Sequence, residues 1–270
     1  MTTLSCRVAT TQRQLDDALR LRWAVFGKEM GLLSSKATPT LREVNGFDTL
    51  ETTVHLVVYA DDTPVATSRL LLPNPEVACA TGGHLGIELE QKLDLSEVGM
   101  PGLVFAESTR FCVLKEWRHS EALVWLQAGL YAESRQRGVT HWIASANMET
   151  DCTEDARIIH EMAMRQGLVS QRWRARAHAS AEPPAAPSAP RFTPSERERA
   201  LQGNFRGLRM PRVLSLFAYK MGARFIAEPL YDTGFHRYSL PLVAALDEVP
   251  GATLACFATL GSGSSRRARG

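Results

Sequence analysis

Apolar residues recur at helical spacing near the N-terminus, where Leu15, Ala18, Leu19, Trp23 and Phe26 share one stripe behind Thr11-Gln12-Arg13-Gln14, a capping-box pattern. This predicts a first helix. Arg22 falls on the same stripe, so a long cation points toward the core or toward a cavity at its edge. A loop rich in Gly, Ser and Thr extends from about Gly31 to Asp48 and ends in Asn45-Gly46-Phe47-Asp48. Residues 54–60 and 65–71 are β-branched runs joined at Asp61-Asp62-Thr63-Pro64, a turn composition suited to a short hairpin. Residues 103–113 predict a third strand, after an excursion from Pro73 to Gly102 with room for a short helix. Ser120 can cap a helix reaching Arg137, stopped by Gly138, with Leu123, Leu126 and Leu130 on its buried side. A strand over 139–146 and an amphipathic helix over 154–166, stopped by Gly167, complete the central part.

The pattern breaks between about Arg174 and Arg199. The run Ala-Ser-Ala-Glu-Pro-Pro-Ala-Ala-Pro-Ser-Ala-Pro buries too little apolar surface to offset its ordering entropy, so a disordered Pro/Ala-rich insertion is expected there. The chain beyond residue 199 is too short for a core of its own: it offers one helix with Pro211 in its first turn and Gly222 at its end, then strands over 224–227 and 238–244. These elements are expected to complete the first sheet. The reading is therefore a single domain over 1–250, interrupted at about 174–199, with a frayed Gly/Ser/Arg-rich tail over 251–270.

Composition adds few constraints and removes several function classes. With 44% hydrophobic residues, 22% charged residues and a formal charge of +2, the chain is neither too polar to fold nor basic enough to coat nucleic acid. The first residues lack a basic region followed by an apolar run, and no stretch is long enough to span a membrane, so a cytoplasmic location is expected. The five cysteines, Cys6, Cys79, Cys112, Cys152 and Cys256, are scattered singly without metal-ligand spacing, which predicts free thiols and no metal. Cys112, inside a strand, reads as a buried small hydrophobe.

Charged residues at positions patterned for burial carry the functional information, because an unpaired buried charge costs several kcal/mol. They are Arg22, Arg69, Glu107 and Arg110. Strict strand alternation puts Glu107 and Arg110 on opposite faces, and only a bulge would bring them to one side. Two readings stand: an ion-pair network, of Arg22 or Arg69 with Glu107 and Asp48, that holds the first helix on the sheet, or a catalytic set.

Taken in order and spacing, Arg22-Trp23-Ala24-Val25-Phe26, Phe47-Asp48, Ser68-Arg69-Leu70-Leu71 and Glu107-Ser108-Thr109-Arg110-Phe111 resemble the signature of acyl-homoserine-lactone synthases. They are similar also to the related ornithine-lipid N-acyltransferases and long-chain N-acyl amino acid synthases. The stretches Met210-Pro211-Arg212-Val213-Leu214, Tyr219-Lys220-Met221-Gly222-Ala223-Arg224 and Pro229-Leu230-Tyr231-Asp232 resemble the last helix and strand of the lipid-type enzymes. The resemblance implies a GNAT-like α/β (α+β) fold, with a mixed, largely antiparallel central sheet flanked by helices. It implies an acyl donor in the form of acyl carrier protein or acyl-CoA, and no permanently bound cofactor. Asp48, Arg69, Glu107 and Arg110 match the family's charged set and are the candidate catalytic residues. Arg22, Phe26, Phe105 and Phe111 are the candidate substrate-binding residues. The autoinducer enzymes usually carry a tryptophan where Leu32 stands and an acidic residue where Asn45 stands, which argues against homoserine-lactone synthesis.

GNAT enzymes that use acetyl-CoA place a glycine-rich turn before the helix that comes after the long strand, so that backbone N–H groups cradle a pyrophosphate. Here the turn reads Trp117-Arg118-His119-Ser120-Glu121-Ala122, without glycine. Arg118, His119 and Ser120 are candidates to meet the single phosphate of a phosphopantetheine; the alternative is a solvated turn. Glu107 is the candidate base, since burial raises a carboxyl pKa toward the working range. Tyr219 stands one residue from where simple GNAT enzymes place a thiolate-protonating tyrosine and is read as core packing. Met162, Met164, Met210 and Met221 are read as core or as the wall of an acyl tunnel.

The expected function is N-acylation of an amino acid or related small amine, with an acyl carrier protein as partner and peripheral contact with lipid compatible with the product. The rival readings are autoinducer synthesis from S-adenosylmethionine and a catalytically silent acyl-binding module. Nucleic acid is not an expected partner, because the arginine runs at 172–176 and 266–269 are short.

Overall fold

The computed structural model describes residues 2–33, 40–178, 182–183 and 185–267, the last seven of them in backbone only. Parts of the expected Gly31–Asp48 loop, of the 174–199 insertion and of the tail thus lie outside the described residues. In chain order the elements are β1 (Leu4–Val8), α1 (Gln12–Arg22), β2 (Thr53–Ala60), β3 (Thr63–Leu71), α2 (Pro75–Thr81), β4 (Leu93–Asp94), β5 (Phe105–Val113) and α3 (Ala122–Gln136). Then come β6 (His141–Asn147), α4 (Thr153–Arg165), β7 (Arg176–Ala177), α5 (Pro194–Leu201), α6 (Arg212–Ser215), β8 (Arg224–Phe225), β9 (Leu230–Asp232), β10 (Arg237–Ala245) and α7 (Gly251–Arg267). The architecture is mixed α/β with largely antiparallel pairing.

The residues group into two compact units. The first comprises 1–74, 104–140 and 251–270, and the second 75–103 and 141–250. In the first unit β1, β2, β3 and β5 pair in that order, each antiparallel to the next. The β2–β3 hairpin closes through Asp61, at φ +55°, with Ala60 paired to Thr63. Helix α1 begins as the sequence predicts: Thr11 Oγ1 accepts the Gln14 N–H, and Gln14 Oε1 accepts the Thr11 N–H. It packs on β2 and β3, while α3 packs on β1, β2 and β3. Leu126 and Leu130 of α3 are fully buried, each contributing about 1.5–3 kcal/mol of apolar burial. Gly138 takes the left-handed conformation that ends α3. Ser120 does not occupy the cap position itself: Glu121 does, and the Ser120 hydroxyl instead accepts the Ala122 N–H at 3.1 Å.

In the second unit β10 is the centre, pairing antiparallel with β6, β8 and β9. Within the 174–199 segment, the described residues 188–192 bond to two carboxylates at and just before α4. Asp155, fully buried at the start of α4, accepts the Arg191 and Phe192 N–H groups and the Arg197 Nε. Asp151 accepts from the Ser188 and Ala189 N–H groups. Four N–H groups between Ser188 and Phe192 are thus satisfied on two buried carboxylates, and α5 follows with a Thr193–Glu196 capping box. After β10 the chain continues in α7, packed through Phe257 against Tyr131 of α3. Met162 and Met221 are buried as expected, but Met164 is exposed, and so is Tyr219, whose hydroxyl donates to Gln166 Oε1 at 2.7 Å.

Candidate active site

The first unit gathers the charged residues that the sequence marks. Arg22 ends α1, where the helix widens into a π-helical segment, Trp23–Glu29, that also carries Phe26. The segment is tight: a Cβ on Gly27 would lie 2.4 Å from the Trp23 ring. Arg22 is 1% exposed, and its two terminal nitrogens donate in fork geometry to Asp48 Oδ1 and Oδ2 at 2.7 and 2.9 Å, while its Nε donates to Glu43. Arg69, wholly buried on β3, donates from Nη1 to Asp48 Oδ1 at 2.7 Å and to Asn45 Oδ1 at 2.9 Å. The Asn45 N–H adds a bond to Asp48 Oδ2 at 2.7 Å. Burial opposes ionisation of Asp48, but the bond and charge of Arg22, the charge of Arg69 and the Asn45 N–H outweigh it and hold the carboxyl well below the usual range. His55, opposite Arg69 in register, meets the Asp48 carbonyl through Nε2 at 3.0 Å, and burial pushes its pKa down.

Arg110 reaches this set because β5 does not alternate strictly. Arg69 pairs with Thr109 and Thr67 with Cys112, so Arg110 and Phe111 together face Ser68. This is a β-bulge, and Arg110 takes φ +58° there. Its Nε donates to Glu43 Oε1 at 3.2 Å, so Glu43 joins Arg110 to Arg22. Glu107 is 4% exposed and pairs with Leu71, two residues from Arg69 on β3, which places it on the same face of the sheet as Arg69. Phe105 is buried at the start of β5 and Phe111 is half-buried within it.

The remaining candidates lie in the turn after β5. Arg118 donates from Nε to the Val113 carbonyl at 3.1 Å and from both terminal nitrogens to Glu29, at 2.6 Å each. The Ser120 hydroxyl donates to the Trp117 carbonyl at 2.7 Å, and His119 is exposed. Sequence reasoning thus missed Glu43 and Glu29, brought in by contacts distant along the chain, and His55, which meets Asp48 seven residues before it. In the second unit a cleft of 380 Å³ is lined by Lys92, Arg157, Tyr231, Asp232 and Tyr238 among others, and by none of the candidates. Among the described residues no group of three or more His, Cys, Asp or Glu is arranged to hold a metal ion, and no helix is long and apolar enough to cross a membrane.

Residues 21–128 match the family model described as an acetyltransferase (GNAT) domain, and this match marks the class of the chain as acyltransferase. Among solved structures it is similar to MesI, a CoA-dependent acyl-homoserine lactone synthase, at 14% identity over 95% of each chain with a TM-score of 0.50. It is also similar to FeeM, an N-acyl amino acid synthase from uncultured soil microbes, at 9% identity over 92% of this chain and 93% of that one, with a TM-score of 0.48. BjaI, another CoA-dependent acyl-homoserine lactone synthase, aligns at 15% identity over 97% of this chain and 90% of that one, with a TM-score of 0.49. At such identities the likeness speaks for the fold alone. No curated protein sequence matches the chain.

Proposed function

We propose that the protein moves a fatty acyl group from acyl carrier protein or acyl-CoA to the amino group of an amino acid or related small amine. The observation that carries this reading is the buried charged set around Asp48, with Glu107 on the sheet face of Arg69. Three arginines and three carboxylates are more than is needed to pin one helix, and they occur in the unit that holds most of the GNAT-matching residues.

The reaction asks for a deprotonated amine and for a donor near the carbonyl oxygen. Glu107 takes the acceptor's ammonium proton, directly or through water. The freed lone pair forms the N–C bond to the thioester carbon as charge moves to oxygen, and collapse breaks the C–S bond, the thiolate leaving as thiol with the second proton that the nitrogen sheds on becoming an amide. Asp48 is ionised and doubly paired, so it positions Arg22 and Arg69 rather than shuttling protons. Arg110, held at Glu43 and 10% exposed at its side chain, is the arginine suited to an acceptor carboxylate. Arg118 and the start of α3 take the donor phosphate, and Phe26, Phe105 and Phe111 supply apolar wall. MesI being a CoA-dependent synthase makes acyl-CoA the first donor to test. Leu32 and Asn45 weigh against the autoinducer reaction.

The test is mass spectrometry of lipid extracts from cells expressing the wild type or Glu107→Gln. An N-acyl amine present only with the wild type is the expected result and identifies acceptor and chain length together. Identical extracts, with both proteins folded and donor available, would overturn the proposal.

A further inference from the structure

Resting on the donor-phosphate role of Arg118, we infer that Glu29 is a specificity-determining residue that occupies the Arg118 fork and must be displaced by the donor's phosphate. Arg118 is a guanidinium aimed by its own backbone contact: Nε is fixed on the Val113 carbonyl, which leaves the two terminal nitrogens facing outward as a pair. Both are taken by the two oxygens of Glu29 at 2.6 Å, the bidentate geometry that a phosphate would also use. The pair is partly exposed, 38% at Arg118 and 32% at Glu29, so solvent screens it and an anion can exchange into it from water. A ligand lacking phosphate has nothing to exchange and leaves the pair closed.

The displaced residue is not an isolated surface carboxylate. Glu29 is the last residue of the π-helical segment that begins beside Arg22 and carries Phe26. Immediately after it, the Met30, Gly31 and Leu32 N–H groups bond to the Val25, Gly27 and Phe26 carbonyls, and these bonds are the segment's exit into the loop toward Glu43 and Asp48. The Glu29–Arg118 pair clamps this exit to the turn after β5. Phosphate binding at Arg118 therefore opens the clamp and loosens residues 30–32.

The experiment measures calorimetric affinities of the full-length protein for 4′-phosphopantetheine and for pantetheine, with amide exchange of residues 30–32 followed in parallel. In the wild type the phosphorylated probe binds more tightly and speeds exchange at 30–32. Glu29→Gln removes the competitor, so it tightens 4′-phosphopantetheine binding by roughly two- to fivefold, the range an exposed ion pair supports, leaves pantetheine unchanged, and shows fast exchange without ligand. Arg118→Gln lowers the phosphorylated probe to the level of pantetheine in either background. If Arg118→Gln abolishes the phosphate preference but Glu29→Gln does not tighten binding, the displacement is refuted and the donor-site reading survives. If Arg118→Gln leaves the preference intact, the donor-site reading fails and the inference with it.

Discussion

Replacing Asp48 by Asn keeps the shape of the side chain and removes the charge on which two buried guanidinium groups converge. The carboxylate accepts four bonds: two from Arg22, one from Arg69 and one from the Asn45 N–H. In the variant one oxygen becomes an NH₂ that faces donors, and the arginines, 1% and 0% exposed, lose their shared counter-charge. Breaking a buried ion pair from one side costs about 3–5 kcal/mol. Arg22 retains Glu43, so the lower end, about 3 kcal/mol, is expected. With a urea slope of about 3 kcal/mol per molar, the unfolding midpoint falls by roughly 1 M. A second arm is pH. The folded-state carboxyl is held far below its unfolded value, so its stabilisation is complete above the unfolded pKa of about 4 and is lost as pH falls from there toward the folded value. The gap between wild type and Asp48→Asn should be widest near pH 6 and narrow steadily toward pH 3. A variant within about 0.5 kcal/mol of wild type, or a gap that ignores pH over this range, would show that the two arginines do not depend on Asp48.

Two further outcomes test the packing. Asp155→Ala removes the acceptor for the Arg191 and Phe192 N–H groups and for Arg197, so the insertion detaches; limited trypsin digestion should cut after Arg191 at least tenfold faster, and an unchanged rate would place the anchor elsewhere. Because burial is outweighed at Asp155 by Arg197 and these N–H groups, its carboxyl is depressed, and the wild-type segment should also become cleavable by an acid-active protease such as pepsin as pH drops below about 4. Gly129→Ala places a methyl 2.4 Å from Cys6 Sγ and should destabilise by about 1–3 kcal/mol, with much of the loss recovered by adding Cys6→Ala. Additive losses in the thermal melts of the pair would exclude that contact as the cause.

The elements legible in the sequence are those whose cause is local. The β2–β3 hairpin arises from two β-branched runs and an Asp-Asp turn, and α1 from a capping box ahead of an apolar stripe. Composition and local signal point different ways around residue 193: Thr193-Pro194-Ser195-Glu196 is itself a capping box, but the Pro/Ala run before it carries no helix signal. The carboxylates that anchor that run, Asp151 and Asp155, lie far earlier in the chain, beyond the reach of windowed reasoning, with Ser188 bonding to Asp151 across 37 residues. The same distance effect hides Glu43. It stands in an aperiodic loop, and its burial is meaningful only once Arg22, 21 residues before it, and Arg110, 67 after, are known to converge on it.

Arg110 shows why the charged set could be named from sequence without its geometry being derivable. Alternation with period two sends Glu107 and Arg110 to opposite faces, and it holds as far as Thr109. The extra residue resets the register, and the resetting residue is Arg110 itself, at a left-handed φ that glycine would adopt without strain. A non-glycine residue there costs on the order of 1–2 kcal/mol, so arginine is retained against a local preference. What it gains is the bond to Glu43, and through Glu43 a link to Arg22 and Asp48. The bulge therefore ties β5 through Arg110 to the loop that carries Glu43. A strand that alternated perfectly would have left Arg110 on the other side of the sheet, cut off from Glu43 and from the other charged residues that remain with Arg69.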